Sequence, residues 1–255
     1  MLRNSLAKEK LALYVRKHLA SLIRDSHRIG IGTGSTVKLV LSRMLEDELI
    51  GSLMKTKLLY VSSLDTLIFL RRYGLDAYLY LPRDGLDLYL DGADEVSFEA
   101  GSCMVLKGRG AAMTLEKILA YNSKYSVVLI DESKVSSQLG EKSKPVPLEV
   151  MPHVLEPVIE ILKARGVRAE IRGECRCRDG PACSDAGGYV IDTWPWKVIE
   201  PIEYESLLDT IPGVISHGLF IGYIDKVLIG YSNREVEERV CKRTRIALHL
   251  RKRAE

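Results

Sequence analysis

Apolar positions in the first half of the chain change their period again and again. Leucines recur at helical spacing over 6–24, the run from Arg28 to Gly32 reads as a short strand, and Val37 to Leu49 reads as an amphipathic helix. The pattern repeats with a strand at Leu58 to Val61 and a helix at Leu64 to Tyr73, where Gly74 suits the position just past a helix end. Strands are predicted near 77–81, at 86–90 and at 103–106, then a helix from about Ala111 to Lys124 and a buried strand from Ser126 to Ile130. Strands separated by helices predict an α/β fold with a parallel, doubly wound sheet.

The texture changes after Gly140. Lys144-Pro-Val-Pro147 reads as a linker or the entry to an edge strand. A helix is predicted within 152–166, short strands around a polar turn over 168–196, and a helix over Glu203 to Thr210 that Ile211-Pro-Gly213 ends. Residues 142–212 are therefore expected to form a smaller α+β lobe. Two apolar strands between Gly218 and Gly230 and a closing helix from Arg234 to Leu250 would return the chain to a larger domain made of 1–141 and 213–255.

With 46% apolar and 28% charged residues, the 255-residue chain has the composition of a globular protein. A net charge of +3 is too balanced to imply nucleic acid, and the basic stretch from Cys241 to Arg245 and through Arg251 to Arg253 suits a solvated helix end. No apolar run approaches the ~20 residues of a membrane helix. The charged N-terminus has no signal-peptide core, so a cytoplasmic protein is expected. Five cysteines, an odd number, do not read as a secreted disulfide framework. Cys175-Arg-Cys177 with Cys183 fits no usual zinc spacing, which leaves incidental thiols on a β-turn or one bridge across it. No metal site is expected, and His217, in an apolar strand, reads as structural.

The chemistry concentrates between Leu90 and Lys117. Asp91-Gly-Ala-Asp94-Glu95 ends one apolar run and Lys107-Gly-Arg-Gly110 ends another, so both sit where an open α/β sheet presents ligands. The acidic stretch suits a surface turn, a cation site or a catalytic cluster, and its place at a strand end favours the last. Lys107 is either solvated or, in a cleft, able to stabilise a forming oxyanion. Glu116 shares a helical face with Met113 and Ala112; it is either a surface ion-pair partner of Lys117 or Lys124, or a desolvated base. Gly30-Ile-Gly32-Thr-Gly34-Ser-Thr36 lies between a strand and a helix. It matches neither a dinucleotide fingerprint nor a P-loop, and suits equally a small phosphate and an ordinary tight turn. Ser62-Ser63, after the next strand, reads as a helix cap or a second donor set.

Taken in order, these segments resemble the ribose-5-phosphate isomerases of type A. The matching pieces are Gly32-Thr-Gly-Ser-Thr36, Val61-Ser-Ser63, Leu90-Asp-Gly-Ala-Asp-Glu95, Leu106 through Lys117, Ile130-Asp-Glu-Ser-Lys134, Pro145 through Val150 and Ile211 through Phe220, spread over 28–230. The resemblance implies a Rossmann-like domain and a smaller lobe at the interface of a homodimer or homotetramer. It also implies interconversion of D-ribose 5-phosphate and D-ribulose 5-phosphate through a cis-enediolate in the non-oxidative pentose phosphate pathway, with no metal or organic cofactor. By the same resemblance Glu116 is the general base and Asp91 the acid/base residue of ring opening and the O1/O2 protons. Asp94 and Lys107 position the hydroxyls and stabilise the enediolate oxygen. Thr33, Gly34, Ser35, Thr36, Gly108, Gly110 and Lys134 bind the sugar phosphate, and Lys8 or Lys10 corresponds to an N-terminal phosphate-binding lysine. Arg109 departs from the family's all-glycine loop and would be strained if its φ were positive. Related folds serve as sugar-phosphate sensors or acyl-CoA transferases; the ordered set of motifs favours the isomerase.

Overall fold

The computed structural model of the chain describes residues 2–99, 101–173, 180–247 and 250. The first half folds as α1 (Leu2–His18), α2 (Ala20–Asp25), β1 (Arg28–Ile31), α3 (Ser35–Leu45), α4 (Glu48–Met54), β2 (Leu58–Val61), α5 (Leu64–Arg72), β3 (Ala77–Tyr78) and β4 (Leu86–Asp91). A hairpin of β5 (Glu95–Glu99) and β6 (Ser102–Leu106) follows, then α6 (Met113–Tyr121) and β7 (Ser123–Asp131). The second half supplies β8 (Val146–Val150), α7 (Leu155–Lys163), β9 (Arg168–Ile171), β10 (Tyr189–Trp194), α8 (Pro201–Leu208), β11 (Val214–His217), β12 (Leu219–Ile221), β13 (Lys226–Gly230) and β14 (Glu237–Val240).

The main sheet runs β14-β13-β7-β4-β1-β2-β3, parallel throughout except for the last pair, β13 and β14. The chain winds outward from β1 through β2 to β3, then crosses back to β4 on the other flank of β1. The order therefore reverses between β1 and β4, and in such sheets a ligand crevice opens beyond the carboxyl ends of the two strands at the reversal. Alternation along β4 feeds two layers. Leu88 and Leu90 pack with Leu11 and Val15 of α1 and Val40 and Leu41 of α3. Tyr89 packs on the opposite face with Val105 of β6, Met113 and Leu119 of α6, and Phe220 of β12.

A four-stranded antiparallel sheet, β11-β8-β10-β9, shares its own core with α7 and α8, including Leu148, Val158, Leu162, Ile191, Tyr204 and Leu208. A three-stranded sheet, β12-β6-β5, completes the set. Strand β11 pairs with β8 in the smaller sheet, while β12, reached through Gly218 alone, pairs with β6.

Several sequence expectations are corrected. The helix expected over 37–49 is two helices, because Asp47 turns out of helical geometry and caps α4 by accepting from the Leu49 and Ile50 amides at 3.2 Å each. Strand β5 was hidden behind the acidic turn that precedes it. The segment 144–147 is neither linker nor edge: Val146 and Pro147 open β8, an interior strand, and Pro147 uses its carbonyl to accept from Gly218 N at 2.8 Å. The closing helix expected over 234–250 is absent among the described residues. Val240 ends β14 opposite Lys226, and Arg243 beyond it is no solvated cation. Its guanidinium donates to Ala120 O at 2.6 Å, closing the end of α6, and pairs with Asp225 at 2.7 Å. A disulfide joins Cys103 of β6 to Cys241, 138 residues away. Cys175 and Cys177 lie outside the described residues, and Cys183 is exposed.

Candidate active site

The loop leaving β1 begins at Gly32, whose amide donates to Leu90 O at 2.8 Å and so ties β1 to β4 at the crevice. A Cβ at position 32 would fall on the Asp91 carboxylate, so only glycine fits between the two. Gly34 precedes α3 and supplies no side-chain cap, which leaves the first-turn amides of that helix open to the crevice. Lys8 of α1 reaches the same loop, donating to Ser35 Oγ at 3.0 Å. Ser63 caps α5 through the Thr66 amide at 3.1 Å and also faces the crevice.

Across from this loop the carboxylates and the lysine meet. Lys107 Nζ lies 2.7 Å from Asp91 Oδ2, 3.4 Å from Glu116 Oε2 and 2.5 Å from Gly92 O. Asp91 is fully buried; it also accepts from Gly92 N at 2.7 Å and from the Tyr89 hydroxyl. Glu116 is 2% exposed, and its Oε2 takes no hydrogen bond from the described residues. Burial, then the Asp91 charge, push the Glu116 carboxyl up to about 8, against the pull of Lys107. Burial acts to lower the Lys107 ammonium, yet the charges of Asp91 and Glu116 outweigh it and hold the group above the ordinary lysine value. Burial likewise raises Asp91, with Lys107 opposing. Asp94 is half-buried, and its carboxylate accepts from the Arg109 amide at 3.0 Å.

One cavity of about 510 Å³ gathers most of the residues singled out from sequence. Its wall includes Thr33, Gly34, Ser35 and Thr36 on one side and Asp94, Lys107, Gly108, Gly110 and Glu116 on the other, with Lys134 at the rim. Asp91 is not in that wall and touches it through Lys107 and Gly92. Lys8 touches the loop without lining the cavity, and Lys10 turns away to Ser232 O at 2.9 Å. Arg109 does not carry the strain feared for it. Left-handed φ falls in this loop on Gly108, at 94°, and on Ala111, at 57°, and at Gly108 a Cβ would also meet Pro147 at 2.6 Å. His217 lies outside the cavity, bonded to Asp209 at 3.0 Å and beside Lys117, and burial lowers it to about 4.

Sequence reasoning missed three contributors. Arg172, at the end of β9, is clamped by Asp192 and donates to the carbonyls of Gly108 and Arg109 at 3.1 and 3.0 Å, fixing the loop after Lys107 from outside. Asp185, in the turn between β9 and β10, lines the cavity and accepts from Leu64 N at 2.8 Å. Tyr89 looked like one more apolar strand residue. Nothing local marks any of them, because each gains its role only when distant elements pack. Among the described residues no group of three or more His, Cys, Asp or Glu is arranged to hold a metal ion. No helix among them is long and apolar enough to cross a membrane.

A carboxyl with a raised pKa, an ammonium 3.4 Å away and an open helix N-terminus, all on one small cavity, define an enzyme that moves protons on a phosphorylated metabolite. The sequence profile described as ribose 5-phosphate isomerase A (phosphoriboisomerase A) matches residues 59–234. Ribose-5-phosphate isomerase A of Methanocaldococcus jannaschii is 37% identical over 88% of this chain and 96% of its own length. The Thermococcus kodakarensis protein of the same name is 34% identical over 87% of this chain and 94% of its own. The solved Methanocaldococcus jannaschii structure superimposes with a TM-score of 0.78 over 91% of this chain and 99% of its own, at 35% identity. A D-ribose-5-phosphate isomerase solved in complex with phospho-erythronic acid gives 0.81 over 94% of this chain and 100% of its own, at 31% identity. The chain belongs to the ribose 5-phosphate isomerase A family, and its activity is ribose-5-phosphate isomerisation.

Proposed function

We propose that Glu116 is the base of this isomerisation, taking the proton from C2 of the open-chain aldose and returning it to C1 of the cis-enediolate. The observation that carries the assignment is its buried Oε2, on a residue of the cavity wall, which takes no hydrogen bond from the described residues and lies 3.4 Å from the Lys107 ammonium. A proton alpha to a carbonyl leaves only if a placed base takes it and a positive partner meets the new oxygen charge. Lys107 supplies that partner, and Asp94, held by the Arg109 amide, orients the neighbouring hydroxyls. Asp91 contributes to the acid/base exchange at O1 and O2 through Lys107. The amides of Ser35 and Thr36 with the hydroxyls of Thr33, Ser35 and Thr36 hold the phosphate, Lys134 adds a cation at the rim, and Gly108 and Gly110 let the substrate approach the backbone. Phospho-erythronic acid, bound by a relative, joins a phosphate to a carboxylate, which supports a site with one anion cradle and a second positive focus at the reacting end. The substrate pair is D-ribose 5-phosphate and D-ribulose 5-phosphate, and the enzyme acts in the cytoplasm as a homodimer or homotetramer.

The test is direct. Purified protein should convert ribose 5-phosphate to ketose, with kcat/KM rising as pH increases through about 8, because the base must lose its proton. Glu116→Gln should lower turnover by about 10²–10⁴-fold with the fold intact. Wild-type turnover in that variant would remove Glu116 from the mechanism.

A further inference from the structure

Tyr89 and Asp91 stand two residues apart on β4, so their side chains share a face of the strand. The Tyr89 hydroxyl donates to Asp91 Oδ2, the same oxygen that meets the Lys107 ammonium at 2.7 Å. Asp91 Oδ1 is taken by Gly92 N at 2.7 Å. Neither Tyr89 nor Asp91 has any exposed surface. From the β1 side Gly32 closes against the carboxylate, with no room even for a Cβ between them. Burial first, and then the Asp91 charge, keep the Tyr89 phenol protonated well beyond its ordinary range, so it stays a donor at every working pH.

We infer that Tyr89 is a positioning residue for the isomerisation: its hydroxyl holds Asp91 as a carboxylate, and that carboxylate holds Lys107 as an ammonium at the cavity wall beside Glu116. The inference rests on the roles proposed above for Lys107 and Glu116, and in it Asp91 acts through Lys107, never on the substrate. The charged groups around Asp91 come from three further elements: Lys107 after β6, Glu116 on α6 and Asp94 in the turn after β4. The β1 side brings Gly32, which carries no charge.

The inference predicts a shift with a definite sign. On becoming active the cluster gives up one proton, from Glu116. With Tyr89→Phe the deprotonated cluster loses a donor to Asp91 and finds no replacement. The protonated cluster can relieve the same loss by placing its proton on Asp91. The cluster therefore holds that proton more tightly, and the rising limb of kcat/KM moves to higher pH.

The experiment compares pH profiles of kcat/KM for the wild type, Tyr89→Phe and Glu116→Gln. The expected result for Tyr89→Phe is a limb displaced upward by about one pH unit. A lowered plateau with an unmoved limb overturns the inference and leaves Tyr89 a packing residue. Glu116→Gln separates the two levels of the argument. If it turns over like the wild type, the site assignment itself fails; if it is inactive and the Tyr89→Phe limb has not moved, only the inference fails. Should Tyr89→Phe not fold, carboxyl-labelled aspartate in the wild type decides by NMR: Asp91 ionised at about pH 7 is expected, and Asp91 protonated there overturns the inference.

Discussion

Glu116 carries a cost that the fold must bear. Its carboxyl holds a proton up to about 8 in the folded protein and would lose it near the ordinary glutamate value once unfolded. Between those two values the folded state binds more protons, so stability falls as pH rises through this window and the full loss is present above about 8. Glu116→Gln removes the cost. Its melting temperature should match the wild type near pH 5 and exceed it by several degrees near pH 9, a gain on the order of 2–4 kcal/mol. Equal melting curves at both pH values would mean that the carboxyl is not desolvated. Under the expected outcome the glutamate protein is less stable at high pH, yet more active, than its amide variant, a stability–function trade set by one proton.

Glu116, the proposed base, sits on α6 and the Lys107 ammonium on a glycine loop, and a third element decides whether the two keep their distance. Arg172 directly follows the small-lobe strand β9, and it grips the carbonyls of Gly108 and Arg109 while Asp192 holds its other edge at 2.5–2.8 Å. Arg172→Ala should free the loop and lower kcat/KM by roughly 10–100-fold, as small misplacements of catalytic groups do. An unchanged kcat/KM would show that the loop needs no such grip. The elements themselves were read unevenly from sequence. Most of the alternating strands and helices up to Asp131, all but β5 and the break before α4, were legible because buried parallel strands and amphipathic helices leave distinct periods. Asp94, Lys107 and Glu116 were legible because they sit in short motifs at strand ends and a helix start. Strand β14 was not, since an edge strand carries Glu237, Glu238 and Arg239 in place of an apolar alternation. Arg172, Asp185 and Tyr89 left no local mark, because their partners come from other parts of the chain.

At the scale of the molecule, the small lobe and the large sheet are bound to each other at the cavity. Glu149, buried in β8, accepts from Thr114 at the start of α6 and from Ser184 and Gly188 in the turn that carries Asp185 to Leu64. The helix bearing Glu116 and the turn flanking the cavity therefore share one anchor. The Cys103–Cys241 bridge ties the end of β14 to β6. Closing so long a loop constrains the unfolded chain, and Cys241→Ser should cost roughly 2–5 kcal/mol in denaturant-induced unfolding. A loss within experimental error would show that the ends of the loop are held by packing alone.

That bridge also turns residues 103–241 into a covalent ring that contains Lys107, Glu116, Arg172 and Asp185. A protease that cuts once inside the ring cannot release a fragment. The clipped molecule should run as a single band on a non-reducing gel and as two once thiol is added.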